Sequence, residues 1–227
     1  MINKYIELLV EALELFYQND AESLFAGRLA HEQTMVNCIA RYIWRLMERE
    51  KSLGLVEDVD VEYDKIHSKD PKAFYGIVDH KKSCCKNIYE FCGGVITDKI
   101  NERDSKCKQC EKQDSCKRRD NKYRFRPDLI LHTRNSDENW LVVEFKKMDD
   151  NVEKREFEFK FDIAKLRACT CKQRNFKYEI GAFVILDKEC SHVKIFIDSI
   201  KKESFGVDKD GRHEYSKENK EPCYISK

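Results

Sequence analysis

Apolar residues recur at helical spacing from Ile2 to about Gln18, at Ile6, Leu9, Val10, Leu13 and Phe16, and predict a first helix. The same period continues from about Ala21 to Glu50, which reads as one longer helix. After a turn at Ser52 to Asp58 the pattern changes to apolar/polar alternation over Val59 to Ile66, the mark of a strand. From Lys69 to about Lys122 no regular period survives. Regularity returns in two strands, Arg126 to His132 and Trp140 to Lys146, joined by a short loop rich in turn formers, so the pair is expected to close as a hairpin. A charged stretch then leads into a helix near Phe161 to Lys172, followed by strands at Tyr178 to Leu186 and His192 to Ile197 and a polar tail after Ser204. The expectation is an α/β fold with a central mixed sheet flanked by helices, interrupted by an irregular insertion.

Side chains alternate across a strand, so residues two apart share a face. Asp128, Ile130 and His132 therefore point one way on the first hairpin strand. On the second, Trp140, Val142, Glu144 and Lys146 point together, while Leu141, Val143 and Phe145 take the opposite face. Glu144 and Lys146 thus project from a strand that is otherwise almost wholly apolar. A carboxylate in such a place is costly to bury unless it is paired or binds a cation. Closing the hairpin would bring Asp128 to the same pair. Two convergent carboxylates suit a hard divalent cation such as Mg²⁺ (or Mn²⁺), which fills its remaining positions with water or phosphate oxygens. A bound cation of this kind lowers the pKa of its water and clamps a phosphodiester oxygen, and a nearby lysine stabilises developing charge.

The long helix offers a third carboxylate. At about 100° per residue, Leu29, Val36, Ile39, Ala40, Ile43 and Met47 fall within about a third of a turn, a stripe that faces a core. Glu32 falls inside that arc, where it needs a cationic partner. His132 and Arg134 are candidates for phosphate contact, or for a strand cap and a solvated loop. Asp162 and Lys165, three apart on the next helix, are spaced to pair with each other.

Pro127-Asp128, followed by Glu144-Phe145-Lys146 with fifteen residues between the two carboxylates, resembles the PD-(D/E)XK nuclease superfamily, whose fold is the restriction-endonuclease-like one. The surrounding series Glu62-Tyr63, His132-x-Arg134, Asp162-x-x-Lys165-Leu166 and Tyr178-x-x-Gly181 is similar in order to members of that superfamily. The resemblance covers about residues 20–66 and 120–200. It implies that Asp128 and Glu144 ligate the metal together with the carbonyl of Phe145, that Lys146 is the catalytic lysine, and that Glu32 joins them from the preceding helix. On this reading 1–66 and 120–200 form the nuclease-like core, 67–119 a Cys-rich insertion and 201–227 a polar tail. The implied activity is Mg²⁺-dependent phosphodiester hydrolysis, in DNA rather than RNA. The alternative is a nucleic-acid- or protein-binding module on the same fold without catalysis. A homodimer is compatible with cutting both strands.

Composition adds one strong signal. The chain has 227 residues, 37% charged and 41% hydrophobic, with 8 Gly and 3 Pro, which excludes disordered and fibrous classes. No apolar run reaches the roughly 18 residues of a membrane span. Glu7, Glu11 and Glu14 interrupt the first helix in a way no secretory leader tolerates, so a cytoplasmic protein without a membrane partner is expected. Against that background 11 cysteines are an excess. Cys107-x2-Cys110-x5-Cys116, with Cys92 upstream, provides four thiolates for a closed structural Zn²⁺ site, which would organise a segment lacking a core. Cys84 or Cys85 is an alternative fourth ligand, and free or redox-active thiols are a further reading. The two-then-five spacing also resembles the iron–sulfur staple of one branch of the same superfamily, although there the clustered cysteines follow the nuclease motif and here they precede it. Cys38, Cys169 and Cys171 read as small buried hydrophobes.

The net charge of +1 hides a local imbalance: between Lys99 and Arg126 there are eleven basic and five acidic residues, a surplus of +6 that would attract a polyanion. Elemental analysis of the purified chain tests the insertion. Bound zinc or iron that is lost in Cys107→Ser supports a metal site, whereas metal-free protein with titratable thiols rules it out.

Overall fold

The computed structural model describes residues 2–26, 31–50, 58–61, 73–76, 88–91, 94–97, 121–124, 127–133, 138–148, 156–171 and 176–215. The chain divides into two compact units, Met1–Tyr63 with Pro127–Lys227, and Asp64–Arg126. In the first, α1 (Ile2–Asn19), α2 (Ala21–Ala26) and α3 (Glu32–Glu50) precede strand β1 (Asp58–Val61). The second holds β2 (Ala73–Gly76) paired antiparallel with β5 (Asn121–Arg124), and β3 (Ile88–Phe91) paired antiparallel with β4 (Gly94–Thr97). Cys92, Cys107, Cys110 and Cys116 lie outside the described residues. After the second unit come β6 (Leu129–His132), β7 (Asn139–Lys147), α4 (Glu156–Cys169), β8 (Ile180–Leu186), β9 (Ser191–Ile197), β10 (Ile200–Asp208) and β11 (Gly211–Glu214).

The first unit is built on a seven-stranded sheet in the order β1-β6-β7-β8-β9-β10-β11. All neighbours are antiparallel except β7 and β8, which run parallel because α4 carries the chain back across the sheet between them. This is a mixed α/β architecture. Leu129, Leu131, Leu141, Val143, Phe145, Ile180, Ala182, Val184 and Leu186 share one core with α1 and α3. Alternate residues face α4. There Phe159 meets Phe183 edge-on at 5.7 Å between ring centroids. Gly181 allows close approach of α4 on this face, since a Cβ on it would lie 3.0 Å from Thr170 Cγ2 and 3.4 Å from Leu166 Cβ.

Helices α1 and α3 run antiparallel, with Arg49 donating to both oxygens of Glu11 and the Tyr42 hydroxyl donating to Asp20 at 2.7 Å. Tyr17 ties α1 to the sheet by donating to the Asp187 carbonyl at 2.9 Å, and burial pushes its phenol far above the usual range. Among the described residues no helix is long and apolar enough to cross a membrane.

Two expectations from the pattern need correction. The single helix over 21–50 is two helices, α2 ending at Ala26 and α3 starting at Glu32, where the His31 carbonyl accepts from Thr34 N at 2.9 Å. Residues 201–215 are not a polar tail. Strands β10 and β11 extend the sheet, and Phe205 and Val207 are fully buried in its core. Their alternation is masked by the exposed charges beside them, because an edge ribbon with one wet face reads as polar. A loosely held segment would tolerate Phe205→Ala. The structure instead predicts a loss of about 3–5 kcal/mol, the usual cost of emptying a buried phenylalanine site, measured by urea unfolding.

Candidate functional site

The hairpin register brings the acidic residues together. Leu129 pairs with Val143, so Asp128, one residue earlier, stands level with Glu144 on the facing strand. Both take the α4 face. The Phe145 N–H donates to Asp128 Oδ2 at 2.7 Å, which fixes the aspartate against β7 without using its second oxygen. Glu144 is buried to 2% exposure and Lys146 follows on the same face. Lys146 Nζ donates back to the Phe145 carbonyl at 3.0 Å.

Helix α3 supplies Glu32 from its first turn. Its Oε2 accepts from the Lys147 backbone N–H at 2.7 Å, and its Oε1 lies 3.7 Å from Lys146 Nζ. The stripe of Val36, Ile39, Ala40, Ile43 and Met47 is buried as the pattern requires, and this burial aims the helix start at the end of β7. Glu32, Asp128, Glu144 and Lys146 therefore gather at one end of the sheet. Leu29 falls outside the described residues.

Two residues complete the group from α4. Asp162 bridges the lysines, with Oδ2 3.0 Å from Lys146 Nζ and Oδ1 2.5 Å from Lys165 Nζ. Lys165 Nζ also donates to Glu144 Oε1 at 2.9 Å. The sequence spacing shows that Asp162 and Lys165 can pair. It does not show that both also reach β7, because the apolar residues of α4 trace no single stripe. His132 is buried but sits at the opposite end of β6, four residues or about 13 Å from Asp128 at roughly 3.3 Å per residue, outside this group. Arg134 lies outside the described residues.

The electrostatics follow from this crowding. Burial, helped by Glu32 and Asp162, raises the Asp128 pKa from 3.8 to about 6 despite Lys146 and the Phe145 amide. Burial also pushes Glu144 up, and Lys165 offsets only part of it while Asp162 and Asp128 add to it. For Lys146 burial alone would favour the neutral amine, but Asp162, Glu32, Asp128 and Glu144 outweigh it and hold the ammonium above the usual lysine range. Lys165 is likewise held charged by Glu144 and Asp162 against the cost of burial. Four carboxylates face two ammonium groups, so full ionisation would leave two negative charges in a poorly hydrated place. Burial is the main cause of the raised pKa values of Asp128 and Glu144, and the neighbouring acids add to it. The formal excess equals the charge of one divalent cation.

Among the described residues no three Asp, Glu, His or Cys side chains are grouped as a ready-made metal cage. Asp128 and Glu144, with the Phe145 carbonyl, are a donor set of the hard-oxygen type that suits Mg²⁺, an ion commonly held by one or two carboxylates.

An aspartate whose pKa is raised in the fold binds its proton more tightly there than in the unfolded chain. The resulting destabilisation is absent below about pH 4, grows between about 4 and 6, and is complete above about 6. Asp128→Asn keeps an acceptor for Phe145 N–H and removes the charge. It is expected to stabilise the fold at pH 7 by about 2–3 kcal/mol, at roughly 1.4 kcal/mol per pKa unit, with the gain vanishing toward pH 4 in urea titrations. Equal stability at both pH values would refute the assignment. Comparison with family models, with curated proteins and with solved structures finds no match to this chain, so any functional reading rests on the motif and on this geometry.

Proposed function

We propose that the chain is a Mg²⁺-dependent nuclease of the PD-(D/E)XK type that hydrolyses phosphodiester bonds in DNA. The observation that carries this reading is the placement of Asp128 level with Glu144 on one sheet face, with Lys146 two residues along and Glu32 arriving from α3. The mixed sheet flanked by helices agrees with the fold that the motif implies.

In this reading Asp128 and Glu144, with the Phe145 carbonyl, hold the cation, which supplies Lewis-acid activation of water and neutralises phosphate charge. Lys146 is kept as an ammonium and therefore suits stabilising the pentacovalent phosphate rather than removing a proton. Glu32 and Asp162 orient Lys146 by ion pairs on two sides. Water attacks phosphorus and gives up one proton to solvent, the bond to the leaving oxygen breaks, and that oxygen takes a proton from solvent, so no net proton is gained or lost. The surplus of basic residues between Lys99 and Arg126 would draw in the polyanion.

The network itself favours a second reading. Glu32, Glu144 and Asp162 each already meet a lysine ammonium, so the group could be a charge lattice in a nucleic-acid-binding module without catalysis. Plasmid cleavage separates the two. Nicking in Mg²⁺ that falls at least about 100-fold in both Asp128→Ala and Lys146→Ala, with folding retained, supports the nuclease, since removal of a single charge-stabilising group commonly costs 10²–10³ in rate. Salt-dependent DNA binding with no hydrolysis in Mg²⁺ or Mn²⁺ selects the binding module. Cleavage that survives both substitutions removes these residues from the reaction.

A further inference from the structure

Lys165 is the one member of the group whose place is not explained by the reading above, and it deepens that reading, on which it rests. Glu144 is the most buried carboxylate of the cluster, at 2% exposure, and its Oε1 is engaged by Lys165 Nζ at 2.9 Å. The same ammonium lies 2.5 Å from Asp162 Oδ1 and is itself nearly buried. Its aliphatic stem comes from α4, on the face of the sheet that also carries Asp128 and Glu144. A cation that binds Glu144 through Oε1 must therefore share or take an oxygen that already serves a positive charge, and one that binds through Oε2 still meets the Lys165 ammonium across the same carboxylate.

We propose that Lys165 is a built-in stand-in for the divalent cation: its ammonium occupies the Glu144 side of the metal position, and metal binds there by displacing it. Two like charges within a few ångströms in a poorly hydrated site repel strongly, so the two occupants exclude each other. The advantage to the fold is that Glu144 is never left as an uncompensated buried charge when metal is absent, a situation that is strongly destabilising. The cost is weaker metal affinity, because the incoming ion must break the Lys165–Glu144 pair. Asp162 gives the displaced ammonium a partner to keep, since it accepts from Lys165 independently of Glu144. Lys146 is not equivalent. It contacts Glu32, Asp162 and the Phe145 carbonyl, and no direct ion pair joins it to Glu144 among the described residues.

Calorimetric titration of the full chain with Mn²⁺ tests this. Lys165→Met removes the competing charge, and Lys165→Gln does so while keeping a donor for Glu144 and Asp162, which protects folding if the first variant is unstable. Both are expected to bind Mn²⁺ at least about tenfold more tightly than the wild type, the effect of about 1.4 kcal/mol. Wild-type protein offers an independent readout. Acylation of Lys165, followed by mass spectrometry, should speed up when Mg²⁺ is added, because the displaced ammonium is freed from Glu144.

Equal or weaker Mn²⁺ binding in the variants, or Lys165 labelling indifferent to Mg²⁺, overturns the stand-in role and leaves the nuclease reading intact. Absence of Mn²⁺ binding in the wild type and in both variants overturns the metal-dependent reading together with it. Tighter binding in the variants without plasmid cleavage by the wild type keeps the stand-in and discards only catalysis.

Discussion

Burying a carboxylate at the end of a sheet is affordable only if something positive meets it, and this constraint organises the first unit. Asp128 and Glu144 stand level across β6 and β7, and the fold answers them with ammonium groups from β7 and α4 and with the backbone N–H of Phe145, while the Lys147 N–H meets Glu32. Even so, four acids exceed two bases. Burial, with the neighbouring acids adding to it, raises the pKa values of Asp128 and Glu144. A protein selected for stability alone would more simply place apolar residues here, since a buried ion pair is often matched or bettered by well-packed hydrophobes. Strain kept in one place is the usual sign that the place has a task.

Much of this was legible in the amino-acid sequence, for a definite reason. Strand alternation has a period of two, so once β6 and β7 were recognised the shared face of Asp128, Glu144 and Lys146 followed from parity alone. The register still had to bring the first two level, and the strands and loop are short enough to leave little choice. Glu32 was visible because an acid inside an apolar arc breaks the helical pattern. The arc itself crosses the gap between α2 and α3, so the pattern identified the face of the helix but not where the helix begins.

What the sequence hid is equally instructive. Helix α4 carries Phe157, Phe159, Phe161 and Ile163 at every second position, then Ala164, Leu166 and Ala168, which is not a helical period. Without a stripe there is no inward face to assign, and Asp162 and Lys165 look like an ordinary surface pair. Their meeting with β7 depends on the crossover between two parallel strands, a tertiary fact. Strands β10 and β11 were hidden differently: the charged run Lys201, Lys202 and Glu203 drowns out the buried Phe205 and Val207. In the second unit the alternation is too short-lived to announce its two pairs of strands.

The attachment of the second unit has an architectural meaning. Val61 lies opposite Leu129 in the antiparallel pairing of β1 and β6, so the chain departs and returns at adjacent rungs of one ladder. Everything between occupies the position of a hairpin turn, the place where a sheet accepts foreign sequence at least cost, because lengthening a loop whose ends are already clamped adds only slowly to its closure entropy. Such a socket lets an inserted element be exchanged, lengthened or deleted without redesigning the body that carries it.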